Sequence, residues 1–498
     1  MPLTYNIPMF SILLVLMSAM VIPFFPKKSW GLNLIRGVEV VVAVLSAVLL
    51  VQLPESGESF TYQMGHFPAP WGNLLRCGPL EALLALVFSV VMILSLCAGA
   101  EDIRWDVRAD RQGSYCVLMQ LLFGALLAMI YTDDLFTAYV FVEINTISAC
   151  GLIMIRQNGR TIEAAVRYMI MSLLGSGLLL VGISMLYDMT GHLLMSNIKE
   201  TVGEIVAQGE FRMPLVVTIG LICVGLAIKS ALFPFHSWLP DAYGYSTVSS
   251  AAMLSSLVSK GYIFLLIKII YRVIGFDFIA ENKIINVFFV FGLMGMIFGS
   301  LSAIKENDIR RMISFSSVAQ IGYIYMGFGL GTEIGMVASI FHILSHAATK
   351  SLLFISAIGL TDVSKGSRKF QDLTGAAYRH KIAGIGFTVG SLSMVGMPML
   401  SGFVSKLLFA QASIGHAYKM LPALIVLGIS TVLNAIYFMK TVIRIFVPER
   451  RTDCEVITIG AEKTYTVTIV LFICLNIALG MLSQPIVKWI QSGLAMFG

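Results

Sequence analysis

Apolar residues run through this chain in blocks of membrane-spanning length from end to end, separated by short clusters of Gly, Pro, Lys, Arg and Asp. The blocks centre near residues 16, 43, 90, 122, 146, 177, 222, 257, 293, 321, 348, 390, 432 and 475, which predicts about fourteen helices of roughly 20 residues each. A bilayer offers no water to exposed peptide groups, so helices are expected in place of any open sheet. The expected fold is an all-α integral membrane protein. The run from Ile7 to Phe24 has the length of a signal peptide, but no small-residue cleavage site follows Phe25, Pro26, Lys27 and Lys28, so it reads as the first span.

Composition narrows the class further. The 498 residues are 57% hydrophobic and 12% charged, with a mean hydropathy of +0.85, which excludes a soluble enzyme domain carrying a membrane anchor. The formal charge of +6 comes from basic residues spread among the loops, a pattern of topology and not of nucleic-acid binding. With the N-terminus outside, about 22 basic residues, among them Lys27, Lys28, Arg36, Arg104, Arg156, Arg310 and Arg368, face the cytoplasm, about eight face out and four lie in the membrane. Both termini are then expected outside. Cys77, Cys97, Cys116, Cys150, Cys223, Cys454 and Cys474 show neither C-x-x-C nor metal-ligand spacing and read as packing residues.

Two spans carry matching interruptions. The seventh runs into Leu232-Phe233-Pro234-Phe235-His236-Ser237-Trp238-Leu239-Pro240, and the twelfth into Gly396-Met397-Pro398-Met399-Leu400-Ser401-Gly402. A proline removes a donor from the helical ladder, so each span is expected to split into half-helices. Lys229 precedes the first break and Lys406 follows the second. Paired breaks of this kind point to an inverted repeat. The expected organisation is residues 1–110 as helices one to three, 111–275 as the first repeat of helices four to eight, 276–450 as the second repeat of helices nine to thirteen, and 451–498 as the last helix.

Ionisable groups inside these spans are the candidate chemistry, because a charge in a bilayer costs several kcal/mol unless it is paired or hydrated. Glu143 lies mid-span, with Lys229 as its natural partner. Low dielectric weakens a lysine's hold on its proton and a nearby carboxylate strengthens it, so the separation of the two could switch Lys229 between loaded and empty states. Lys260 follows in the eighth span. In the eleventh, the spacing of His342, His346 and Lys350 places all three on one helix face, suited to proton relay. The alternatives are a metal or haem site, which lacks further ligands nearby, and structural histidines. Lys406 completes the row, with a snorkelling lysine as its bland reading. The segment from Lys305 to Arg311 reads as a topogenic turn. Pro234, His236, Asp241 and Pro398 mark the helix breaks or an access path, and the role of Asp241 stays undecided.

These same residues carry a resemblance. The stretches Phe141-Val142-Glu143, Leu226 to Ala242 around Lys229, Asp308-Ile309-Arg310-Arg311 with Ser314 and Gln320 to Tyr323, Phe341 to Lys350, and Ser401-Gly402-Phe403 with Lys406 resemble one family. It is the antiporter-like, proton-conducting subunits shared by respiratory complex I, energy-converting membrane-bound hydrogenases and multisubunit sodium/proton antiporters. The resemblance spans about residues 80 to 450. It implies fourteen helices with inverted five-helix repeats and a subunit that conducts protons within a larger membrane arm, in the inner membrane of a prokaryote. Glu143, Lys229, Lys260, His346 and Lys406 match the family's proton-carrying positions, and the lysine at 406 resembles the lysine-bearing subunit types. Partners implied are other membrane subunits, further antiporter-like chains among them, and a peripheral redox module. No iron–sulfur, flavin, nucleotide or quinone motif is visible, so any redox chemistry is expected in partners, with no cofactor or metal in this chain. The alternative is a D-type subunit of a sodium/proton antiporter without a redox module, and an independent organic-solute transporter is a more distant third. Lys229→Ala is expected to abolish cation transport by the purified complex; transport at the unaltered rate would remove the Glu143–Lys229 pair from the mechanism.

Overall fold

The computed structural model describes residues 3–25, 28–53, 59–67, 72–209, 211–448, 455–458 and 462–497. Pro26, Lys27 and Cys454, named above, lie outside the described residues. Every apolar block centre falls inside a helix. Among the described residues twelve helices are long and apolar enough to cross a membrane. The tenth span, Ile309–Gly329, is helical over 21 residues with a more polar sequence, and the twelfth is broken into Lys381–Val395 and Ser401–Ile414. The chain is a multi-pass membrane protein.

The core is set by two spans. The eighth, Val248–Ile274, and the eleventh, Glu333–Asp362, are buried along their whole apolar windows, whereas the thirteenth, Met420–Ile445, is buried over only 33%. Outer spans expose apolar faces, such as Ile147, Val166, Ile170 and Val432, where lipid would cover them. The two central helices are thus shielded from lipid by the rest of the bundle, and they hold Lys260 and the histidine face.

Helix lengths depart from the uniform 20 residues expected. The sixth span, Gly159–Thr190, has 32 residues and the eleventh 30, about 48 and 45 Å at 1.5 Å per residue against a hydrocarbon layer of about 30 Å. Both therefore extend past the apolar layer. Composition-based centring finds only the apolar middle of such helices. The eighth span contains two π-helical turns, Leu254–Val258 and Ile270–Ile274. Outside the spans lie, among other short elements, an antiparallel hairpin of β1 (Phe60–Gln63) and β2 (Leu74–Cys77), and the short helices Met195–Gln208 and Ser483–Ala495.

Both expected breaks are present, and the residue that ends each first half-helix is not the proline. The seventh span, Arg212–Lys229, stops before Ala231, whose backbone is left-handed at φ 61°, and resumes as Leu239–Tyr245. Lys381–Val395 stops at Gly396, φ 98°. Pro234 and Pro398 sit within the turns that follow. Their rings keep the helix from restarting early.

Glycines bring certain backbones together. The ninth span, Ile284–Lys305, and the tenth cross at Gly292 and Gly322, where a Cβ on Gly322 would meet Gly292 O and Met296 N, each at 2.6 Å. Small residues give transmembrane helices this approach. Gly322→Val is expected to lower the stability of the solubilised protein by about 1–3 kcal/mol, read as a fall in its thermal unfolding midpoint.

Candidate functional site

Glu143, from the fifth span Leu135–Met154, meets Lys229 at 3.7 Å between Oε1 and Nζ. The lysine is 1% exposed, while the Glu143 side chain is 24% exposed. The pair is therefore asymmetric: one charge is enclosed and the other reaches the bundle's outer surface. Lys229 Nζ also donates to Thr146 Oγ1 at 2.6 Å. Thr146 lies 3.5 Å from Tyr262 OH, which donates to Asn145 Oδ1 at 3.0 Å, and the Lys229 ammonium stands 5.7 Å from the Tyr262 ring. Gly175 makes room for the lysine stem, since a Cβ there would lie 2.8 Å from Gly225 O and 3.1 Å from Lys229 Cγ.

Lys260 is fully buried beside the first π turn. Its ammonium donates to the Ser255 carbonyl in a short contact and to Ser259 Oγ at 3.1 Å. A π turn loosens the regular ladder, which leaves a carbonyl such as that of Ser255 open to a side chain. The partners of the Lys260 ammonium all come from its own helix, while the Tyr262 ring and its hydroxyl network occupy the space near Lys229.

His342 and His346 share a helix face as the spacing required, with ring centroids 5.9 Å apart. His342 Nδ1 bonds Ser405 Oγ at 3.0 Å, and its ring stacks 5.6 Å from Tyr323. The Lys406 ammonium is 5.7 Å from the other partner of that stack, the same Tyr323 ring. Neither nitrogen of His346 has a hydrogen-bond partner among the described residues, and among those residues no group of three or more His, Cys, Asp or Glu is arranged for a metal. The charges of Lys260 and Lys350 reach both histidines, and that of Lys406 reaches His342. Lys350 turns away toward the tenth span, donating to Ile313 O at 2.8 Å and to Ser316 Oγ. Lys406 donates to Val395 O at 2.8 Å, the last residue of the opposing half-helix, where the helix dipole is negative. Asn476 of the last span, Lys463–Met481, gathers Thr349, Ser393 and Ser401 between the eleventh and twelfth spans.

The helix-break residues divide. His236 is half-buried, stacked 5.2 Å from Phe233. Asp241 is an ion-pair node, held by Arg167 at 2.8 Å and by Arg311, which also pairs with Glu306 at 3.1 Å. Asp308 Oδ1 accepts the Arg310 N–H at 2.8 Å, so the Lys305–Arg311 turn is the cap of the tenth span.

Sequence reasoning passed over a second charged cluster. Arg272, in the second π turn, pairs with Glu81 at 2.7 Å and Asp133 at 3.8 Å, all three at most 2% exposed. The Phe497 ring covers the guanidinium at 4.0 Å, and Lys268 donates to the carbonyls of Met129, Ile130 and Thr132. Glu39, fully buried in the second span with neither oxygen hydrogen-bonded among the described residues, was also passed over. The available signal was the same that singled out Glu143, a charge within an apolar block. Near block ends it looks identical to a topogenic residue.

Residues 132–433 match the family described as NADH:quinone oxidoreductase/Mrp antiporter, transmembrane. The chain is 31% identical over 445 residues to the N-type subunit of an NADH-quinone oxidoreductase from Desulforudis audaxviator, covering 88% of this chain and 86% of that one. It is 26% identical to the D-type subunit of a Na(+)/H(+) antiporter from Alkalihalophilus pseudofirmus, covering 93% and 92%. A chain of the membrane-bound sulfane sulfur reductase, an archaeal respiratory membrane complex, superposes with a TM-score of 0.87 at 26% identity, covering 98% of this chain and 97% of that chain.

Arg272→Ala strands two buried carboxylates, and the expected cost is about 3–5 kcal/mol. Chemical or thermal unfolding of the solubilised protein measures it; a variant as stable as the parent would show the cluster to be hydrated.

Proposed function

The chain belongs to the NADH:quinone oxidoreductase/Mrp antiporter transmembrane family, and from that membership we propose that it is a proton-translocating, antiporter-like subunit of a multisubunit, redox-driven ion-pumping complex. The observation that carries the reading is the enclosed Lys229 paired with the half-open Glu143 at a helix break. A charge enclosed this way and tied to a single mobile counter-charge changes its proton affinity when the counter-charge moves. From Lys229 the proton passes by way of Lys260 and the His342/His346 face, with Lys350 beside it, to Lys406. Residues 111–275 and 276–450 act as two repeats, each with a lysine beside its broken helix. The arginine-rich face is cytoplasmic and both termini lie outside. Redox groups belong to partner subunits, and Glu143 is where a partner's movement enters.

The likeness to a sodium/proton antiporter chain over 93% of this one favours a second reading, a D-type subunit of such an antiporter without a redox module. Mass spectrometry of chains that co-purify from native membranes separates the two. Chains with iron–sulfur or nickel motifs are expected under the first, antiporter subunits alone under the second. Transport by the lone chain in liposomes would overturn both. In the assembled complex Lys406→Ala is expected to slow proton transport at least roughly tenfold while leaving the set of co-purifying chains unchanged.

A further inference from the structure

A cavity of about 830 Å³ opens on the arginine-rich face, among the ends of the second, third, tenth, eleventh and last spans. Its wall includes Asp102 and Asp106 from the short helix Ala100–Asp106, Arg156, Arg310 and Asp362. Arg156 and Asp106 are explained by their mutual ion pair at 2.9 Å. Asp102 is different. Its Oδ2 accepts the backbone N–H of Val248 at 3.2 Å, and Val248 is the first residue of the eighth span, which carries Lys260. The carboxylate is half-buried, with one side on the cavity and the other on the mouth of the central helix.

Between Asp102 and Lys260 the polar groups that the eighth span offers are hydroxyls. Thr247 Oγ1 and Ser250 Oγ are 2.6 Å apart, and Ser250 reaches Tyr115 OH at 3.5 Å. Farther in, Ser256 pairs with Ser351 at 2.8 Å and Ser255 with Ser317 at 2.9 Å. Ser351 also reaches back to the Ala252 carbonyl at 3.5 Å. Ser255 O and Ser259 Oγ then hold the Lys260 ammonium. The whole column is about 18 Å long at 1.5 Å per residue, with one gap of roughly 9 Å between Ser250 and Ser256 that about two waters would bridge. Packing alone does not require hydroxyls at these fully buried positions, where Ala or Val would fill the space without a polar group to satisfy.

We propose that Asp102 is the proton-collecting group of this chain, taking protons from the cavity and passing them along the hydroxyl column of the eighth span to Lys260. The proposal rests on the proton-conducting reading above and adds a supply route that enters the row at Lys260, separate from the Glu143–Lys229 pair. The charged groups facing Asp102 are Arg310, Asp106 and Arg156, with Asp362 from the end of the eleventh span and Tyr465 from the last. Burial pushes the Asp102 carboxyl up to about 6, opposed by Arg310 and Arg156 and reinforced by Asp106. A carboxyl in that range binds and releases protons near neutral pH, and its protonated fraction falls tenfold for each pH unit above it.

The test uses the intact complex in sealed vesicles with the pH varied on the cavity side. Wild-type transport is expected to decline as that pH rises above about 6. Asp102→Asn is expected to slow transport by roughly a hundredfold at neutral pH, to lose that pH dependence, and to regain rate when formate is added as a small proton carrier; Asp102→Glu is expected to retain the rate. Lys229→Ala run in parallel separates the ideas: its inactivity is expected to be insensitive to formate, and full activity would sink the conducting reading itself. Wild-type rate in Asp102→Asn, or a loss that neither formate nor Asp102→Glu restores, overturns the proposal. If Asp102→Asn does not assemble, infrared spectra of wild type and Asp102→Glu decide. A carboxylic C=O band titrating near pH 6 and shifted in Asp102→Glu is expected, and its absence overturns the assignment.

Discussion

An ammonium group and an unpaired backbone carbonyl are each intolerable in a hydrocarbon interior, and this fold places the two together. Lys260 binds the carbonyl of Ser255 in a π turn. Lys268 takes three carbonyls at the end of the fourth span, Gln112–Tyr131, and in the turn after it. Lys406 takes the last carbonyl of a half-helix, and Lys350 the carbonyl of Ile313. At the first three of these sites the helical ladder is interrupted and a lysine stands beside the opening, whereas Ile313 lies within the unbroken tenth span. The interruptions are thus what allow the charges to be there, and the charges satisfy the interruptions. Lys229 fits the same rule in part: it sits in the last turn before a break, but its ammonium is held by a carboxylate and a threonine hydroxyl. Its hold depends on a charge that reaches the outer surface, which sets it apart from the other lysines of the row.

What was legible in the amino-acid order follows from this. A charge deep in an apolar block stands out, so Glu143, Lys229, Lys260, the histidine face and Lys406 could all be named, and helical spacing put His342 next to His346. Proline and glycine marked both breaks. The connecting groups were not legible, because Thr146, Tyr262, Asn145 and Ser405 are ordinary span residues until the fold brings them to a charge. Arg272, Glu81 and Asp133 were hidden by position: near the end of a block, a charge that points to water and one that points inward share one sequence signature. The hairpin and the short helix Met195–Gln208 fall between apolar blocks and Ser483–Ala495 follows the last one, so the block pattern marked none of them.

The two ends of the central helix differ in how they are closed. At the arginine-rich end a wide cavity leads to it. At the other, Arg272 is enclosed by Glu81, Asp133 and the Phe497 ring, while Arg76 of β2 holds Met496 O at 3.2 Å and Lys199 holds Phe497 O at 3.5 Å. Parts of the chain that are far apart in sequence converge there on one guanidinium. An open end and a sealed end on the same helix give the eighth span a direction, independent of any assignment of inside and outside.

The π turn before Lys260 sets where that side chain points. A π turn accommodates one residue more than the α-helix would in nearly the same rise, so everything beyond it is rotated by about 100° relative to an uninterrupted helix. Lys260 stands just beyond that turn, held by the carbonyl of Ser255 within it and by the hydroxyl of its neighbour Ser259. The address of the central lysine is therefore angular as well as linear. A chain that kept every hydroxyl of the column but lost Leu257 would keep nearly the same span length, yet turn its ammonium toward a different neighbour.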